Sequence, residues 1–107
     1  MLSLYDPARH EPLAVAEWNP QRVRDAIAAI CCDAESAFHA DHLWPMHPED
    51  DEPGTPADGI FRGLYCGAAG MMHALGRLAE AGFYEPSLDL AAIAGGLYEA
   101  ALASPDD

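Results

Sequence analysis

The sequence predicts an all-α fold, and two observations support that prediction. Apolar residues recur every three or four positions in three separate stretches of the 107-residue chain, the spacing that places them on one face of a helix. No stretch alternates apolar and polar residues for long enough to form a strand. The length fits a single domain, and a chain that is half hydrophobic and 21% charged has the composition of a globular protein.

The first predicted helix follows an irregular N-terminal segment, residues 1–18, in which two prolines interrupt any helix. Asn19 and Pro20 are a helix start signal, with asparagine as the N-cap and proline at the first helical position. The residues that follow carry one apolar face, which predicts a helix over 20–38. That face consists of Val23, Ile27, Ile30, Cys31, Ala34 and Phe38.

Residues 40–60 are predicted to form a long loop. Prolines and glycines interrupt this segment, and residues 49–52 form an acidic run. Long loops without secondary structure are uncommon in small domains and often have a function. We expect the acidic run to be solvated, because a catalytic carboxylate pair needs one carboxyl group shielded from water.

Two further helices are predicted after the loop. The second begins near Cys66 or Gly67 and ends before Gly82, since glycine is common just after a helix C-terminus. The third begins with Ser87 as its N-cap and ends before Pro105. Apolar residues surround most of the third helix. A chain with three helices cannot cover all of that apolar surface, so part of it is expected to be exposed.

The charge balance limits the partners of this chain. It carries 18 acidic residues against 5 basic ones, all arginine, for a net charge of −13. Such a chain repels phosphate backbones and anionic lipids, which excludes nucleic acids and membrane surfaces. With no apolar stretch of bilayer length and no secretory signal, it is predicted to be cytoplasmic. The lack of lysine and the abundance of alanine indicate a GC-rich bacterial genome.

The most informative part of the sequence is the glycine motif, Gly63-Leu-Tyr-Cys-Gly67-Ala-Ala-Gly70. Glycine costs about 1 kcal/mol relative to alanine inside a helix, so three glycines at a helix start need a physical reason. They could allow a backbone segment to approach closely, or they could surround an anion held by free amides. The chain lacks the lysine of a phosphate-binding loop and the preceding strand of a dinucleotide site. Close packing is therefore the favoured explanation.

This motif, continued as MMHALGRLAEAG, resembles a helix-opening repeat of the lanthionine synthetase C-like family. Members repeat a Gly-Leu/Tyr-x-Gly-x-Ala-Gly unit ahead of their inner helices. The preceding WPMHPED, residues 44–50, is similar to the stretch before the first such repeat. The resemblance covers residues 44–82 and implies an α/α toroid, of which 1–107 would be a partial domain with an outer helix, a long loop, an inner helix and the next outer helix. Repeats of this kind need neighbours to bury their apolar faces.

The resemblance also implies chemistry that this chain does not carry in full. Lanthipeptide-forming members add a cysteine thiol to a dehydrated residue at a zinc ion held by Cys, Cys and His. This chain has no Cys-His pair, and Cys31, Cys32 and Cys66 do not correspond to the zinc ligands. Zinc is expected only in complete members. No catalytic, cofactor-binding or metal site is assigned, and whether the chain is an enzyme stays open. We expect its cysteines to be reduced and mostly buried.

The histidines are the remaining candidates for chemistry. His39, His42 and His47 lie close together before the acidic run, and imidazole suits zinc or nickel. Prolines interrupt the group and no cysteine stands at ligand spacing, so surface histidines are the favoured interpretation and a metal site is the alternative. His73 is expected to be a packed core residue of the second helix.

Functions from two classes are compatible with these observations. The first is an N-terminal scaffold segment of a lanthionine synthetase C-like protein, not catalytically complete by itself and completed by further toroid repeats. The second is a small acidic helical module that binds a protein or peptide partner through an apolar face, with self-association as one form of that binding. A weaker alternative is a segment of a sugar-acting α/α-toroid enzyme.

Overall fold

The fold is all-α in the part of the chain that the structure describes, as the sequence predicts. Three helices, α1 (Pro20–Ser36), α2 (Ala68–Glu80) and α3 (Leu90–Ala103), follow one short 3-10 turn, and these described residues form no strand. The structure is a computed structural model that describes residues 6–11, 14–45, 47, 49, 56 and 58–104. Residues 50–52 of the predicted acidic run, two of the four loop prolines (Pro48 and Pro53), Pro12 and Pro105 lie outside the described residues.

The N-terminal segment is irregular where it is described, apart from the 3-10 turn at Pro7–Arg9. Residues 14–19 have no regular structure, and Val15 and Trp18 are exposed. α1 then begins as predicted, because the Asn19 side chain accepts hydrogen bonds from two backbone amides of the first turn.

The end of α1 differs from the prediction. The helix ends at Ser36 rather than Phe38, because the chain turns back on itself immediately afterwards. The Phe38 ring packs edge-on against Trp44, with 5.0 Å between ring centroids. The indole N–H of Trp44 donates to the carbonyl of Ala34 at 2.7 Å. This return turn satisfies a carbonyl of the last helical turn that would otherwise lack a partner.

The two ends of α2 are defined by glycines. Gly67 is the N-cap, within the predicted start region. Gly82 follows the C-terminus with a φ of 82°, and its amide donates to Ala79 while the Phe83 amide donates to Leu78, both at 3.0 Å. These two bonds are the Schellman motif. They confirm the prediction that Gly82 ends this helix.

The start of α3 corrects a prediction. The N-cap is Asp89, whose side chain accepts a hydrogen bond from the Ala92 amide at 3.1 Å. Ser87 is not a cap, because its amide and its hydroxyl both donate to the carboxylate of Glu35. A partner 52 residues away in the chain therefore replaces the local one.

The chain leaves much of its surface uncovered. Its radius of gyration is 18.3 Å, against about 13 Å for a compact domain of this length. Its accessible surface is 8895 Å², against about 5,800 Å² for a compact protein of this mass. The buried hydrophobic residues among those described are Cys31, Ala68 and Leu75. α2 and α3 pack against each other. α1 is attached mainly through the segment that connects α2 to α3.

None of the described helices combines the length and the apolar character that crossing a bilayer requires.

Candidate interaction surface

α3 is more exposed than its apolar composition predicts. Its sequence, LAAIAGGLYEAALA, contains a single charged residue, Glu99, yet none of its 14 residues is buried. Helices that are apolar all round are normally buried. Four residues face the rest of the chain and are half-buried, namely Leu90, Ile93, Leu97 and Ala100. The other sides of the helix are exposed.

The face opposite these four residues is an exposed apolar strip. Ala91, Gly95, Tyr98 and Leu102 follow one another at intervals of four, three and four residues, and all four are exposed. We name this strip the outer seam. Tyr98 is 65% exposed and Leu102 60% exposed. Their spacing is that of the contact positions between helices in a coiled coil, so the outer seam has the form of a surface for packing another helix.

The inner side of α3 is not fully packed either. A groove of about 420 Å³ separates it from the turn after α1, with Phe38, Leu43 and Ile60 among its apolar walls and Arg62 at its edge. Arg62 is paired with Asp58 at 2.7 Å, and this pair lowers the pKa of the Asp58 carboxyl through its hydrogen bond. An incompletely filled groove and an exposed seam both indicate that α3 has room for further packing partners.

The glycine motif sits at the N-terminus of α2. A Cβ on Gly67 would lie 2.5 Å from the backbone carbonyl of Phe61, and a Cβ on Gly70 would collide with the carbonyl oxygen of Leu64. Real Cβ contacts are not that short. At Gly63 a Cβ would meet no atom within 4 Å. Close backbone approach therefore explains two of the three glycines.

The same approach satisfies the first amides of α2. Those of Ala68, Ala69 and Gly70 donate to the carbonyls of residues 61, 62 and 63, at 2.9, 3.1 and 3.3 Å. These are the amides that a helix N-terminus would otherwise offer to an anion. Because the preceding segment already occupies them, the glycine motif acts as a backbone cap of α2. The geometry favours this role over anion binding.

Glu35 connects α1 to the segment before α3. Its Oε1 accepts hydrogen bonds from the amides of Ser87 at 3.0 Å and Leu88 at 3.4 Å, and its Oε2 accepts one from the Ser87 hydroxyl. These bonds, the Ser87 hydroxyl first, lower the pKa of the Glu35 carboxyl. Arg24 makes a second contact between α1 and this segment, because its guanidinium lies 5.1 Å from the ring centroid of Phe83.

Two titratable groups lie beside this carboxylate. Cys31 is fully buried, and burial raises the pKa of its thiol, with the charge of Glu35 adding to the effect. The Tyr84 hydroxyl is buried and has no hydrogen-bond partner among the described residues. Burial, and then the charges of Glu35 and Cys31, raise its pKa. Both groups are therefore neutral near pH 7, which fits packing rather than nucleophilic chemistry.

The other cysteines differ from the expectation. All three are free, but Cys32 and Cys66 are exposed, so the prediction that the thiols are mostly buried is wrong. Cys32 directly follows the buried Cys31 and points about 100° away from it around α1. Cys66 lies in the turn ahead of α2, outside its packed face.

The histidines are not gathered into a metal centre in the described residues. His39 and His42 approach with 6.3 Å between ring centroids, at a turn closed by His39 and Leu43. His47 is exposed, and its Nδ1 accepts the amide of Glu49. No group of three metal-ligating side chains occurs in the part of the chain that is described. His73 is exposed, which corrects its placement in the core: it lies on the side of α2 away from Leu75.

Comparison of the chain with models of protein families, with curated proteins and with solved structures gave no match.

Proposed function

We propose that this chain is a helical scaffold, not catalytically complete by itself, that works by packing α3 against other helices. The observation that carries the proposal is that α3, apolar on nearly all sides, has no buried residue. Exposed apolar surface of this extent is a feature of interaction sites. The free thiols and the acidic surface fit a protein of the bacterial cytoplasm.

The resemblance to the lanthionine synthetase C-like family gives this scaffold a specific form. In that form the chain is the N-terminal segment of an α/α toroid, α2 is an inner helix opened by the glycine motif, and α3 packs against the next repeat. Zinc and its ligands would belong to later repeats. The alternative form is an acidic interaction module that acts without a toroid.

The coding sequence downstream of Asp107 distinguishes the two forms. In-frame glycine motifs followed by a Cys-His pair would support the toroid. A stop codon there, or an unrelated downstream sequence, would favour the interaction module.

A dye titration tests the scaffold function itself. We expect 1-anilinonaphthalene-8-sulfonate to bind the chain, and to bind less to Leu102→Ser, which removes an exposed apolar side chain from α3. Ala29→Ser is the matched control, because Ala29 is exposed on α1. A helical chain that binds no dye would contradict the proposed function.

A further inference from the structure

We propose that the outer seam binds the outer seam of a second copy of this chain, with the two α3 helices antiparallel. The inference rests on the proposed function, since it names the partner that α3 packs against. Three properties of the seam favour a second copy: the order of its side chains, the position of its charges and the area available.

The first property is the distribution of side-chain size. The N-terminal half of the seam is small, with Ala91 and Gly95, and the C-terminal half is large, with Tyr98 and Leu102. In an antiparallel pair with the two-fold axis midway between residues 96 and 97, Ala91 faces Leu102 of the other copy and Gly95 faces Tyr98. Each large side chain then meets a small one. A surface that complements itself in this way is what a two-fold interface requires.

The second property is the position of the charges. The same register places Glu99 opposite Ala94 and the N-cap Asp89 opposite Ser104, so no acidic residue of α3 faces another. The net charge of −13 still repels a second copy at long range. Salt screens that repulsion within about 10 Å at 0.1 M ionic strength. We therefore expect the dimer to tighten as salt is added.

The third property is area. A standard interface buries about 800 Å² on each partner. The accessible surface of 8895 Å² exceeds that of a compact protein of this mass by about 3,000 Å². That excess is larger than the area a standard interface needs on each partner, and the exposed face of α3 is one apolar part of it.

Sedimentation velocity over a range of chain concentrations and salt tests the dimer. We expect a reversible monomer–dimer equilibrium that Ala91→Glu weakens about 100-fold or more, because the dimer would bury two unpaired carboxylates. Ala29→Glu, on the exposed side of α1, adds the same charge and is expected to weaken it far less. Far-UV circular dichroism checks that both variants keep their helices.

Disulfide trapping tests the register. In a Cys32→Ser, Cys66→Ser background, Gly95→Cys and Tyr98→Cys chains are mixed and oxidised. The antiparallel register predicts the mixed 95–98 disulfide in excess over 95–95 and 98–98, and a parallel pair would reverse that order.

Several outcomes would overturn the inference: a monomer at all concentrations, a dimer that Ala91→Glu leaves unchanged, or an excess of the 95–95 disulfide. A monomer that still binds the dye through Leu102 would leave the scaffold function standing with a different partner. A chain without exposed apolar surface would refute the scaffold function as well.

Discussion

Replacing Gly70 by alanine tests the backbone cap of α2. A Cβ at this position would collide with the carbonyl oxygen of Leu64. That oxygen belongs to backbone, so a side-chain rotation cannot relieve the collision. The preceding segment must move, and its carbonyls hold three amides of the first turn, including that of Gly70 itself.

The expected magnitude follows from these contacts. Overpacking that forces a backbone shift costs about 1–3 kcal/mol, a range that includes the weakening of these amide bonds. We expect Gly70→Ala to destabilise the fold by about 1–3 kcal/mol and Gly70→Val by at least as much. Gly76 is the matched control, because it lies within the same helix and a Cβ there meets nothing within 4 Å. Gly76→Ala should stabilise the fold by about 0.4–1 kcal/mol.

Urea unfolding followed by far-UV circular dichroism measures both changes. Gly70→Ala should lower the free energy of unfolding and Gly76→Ala should raise it. A Gly70→Ala variant as stable as Gly76→Ala, or more stable, would refute the close approach and the capping role derived from it.

Three further predictions concern other contacts. The hydrogen bonds to Glu35 hold its pKa below the ordinary value of 4.5, so the stability they contribute is present above that pH and is lost as the pH falls through the lowered pKa. Glu35→Gln should reduce this loss of stability at acid pH in thermal melts. An unchanged acid dependence would contradict the stabilising role of these hydrogen bonds. Trp44→Phe should cost about 0.5–1.5 kcal/mol, since the carbonyl of Ala34 loses its indole donor, and a denaturant melt with no loss would contradict this. The purified chain should retain no stoichiometric zinc after mild chelation; elemental analysis showing about one zinc per chain, lost in His42→Ala, would reveal a site that the histidines form.

The local features of the fold could be predicted from the sequence. The Asn19 cap and the Gly82 terminus depend on backbone groups within a few residues, and a residue type alone signals them. Ser87 was wrongly predicted as a cap because its partner, Glu35, lies 52 residues earlier. No local pattern reports such a pairing. The end of α1 was misplaced for a similar reason, since Trp44 reaches back to it from beyond the turn.

The exposed apolar face of α3 could be predicted only in part. The apolar composition of α3 predicts that some of it is exposed in a chain with three helices. It does not say which face, because a helix that is apolar all round has no polar side to mark the solvent. The burial of His73 was wrongly predicted for the same reason, since apolar neighbours along α2 do not establish which side of the helix packs.

Hydrogen–deuterium exchange of α3 tests the central claim most directly. Exchange of peptides from α1 and α3 is followed by mass spectrometry in dilute and in concentrated solutions of the chain. If α3 is the surface through which this chain associates, its amides become more protected as the concentration rises, while the first turns of α1 do not change. Equal protection of α3 at all concentrations, in a chain that associates, would contradict the claim.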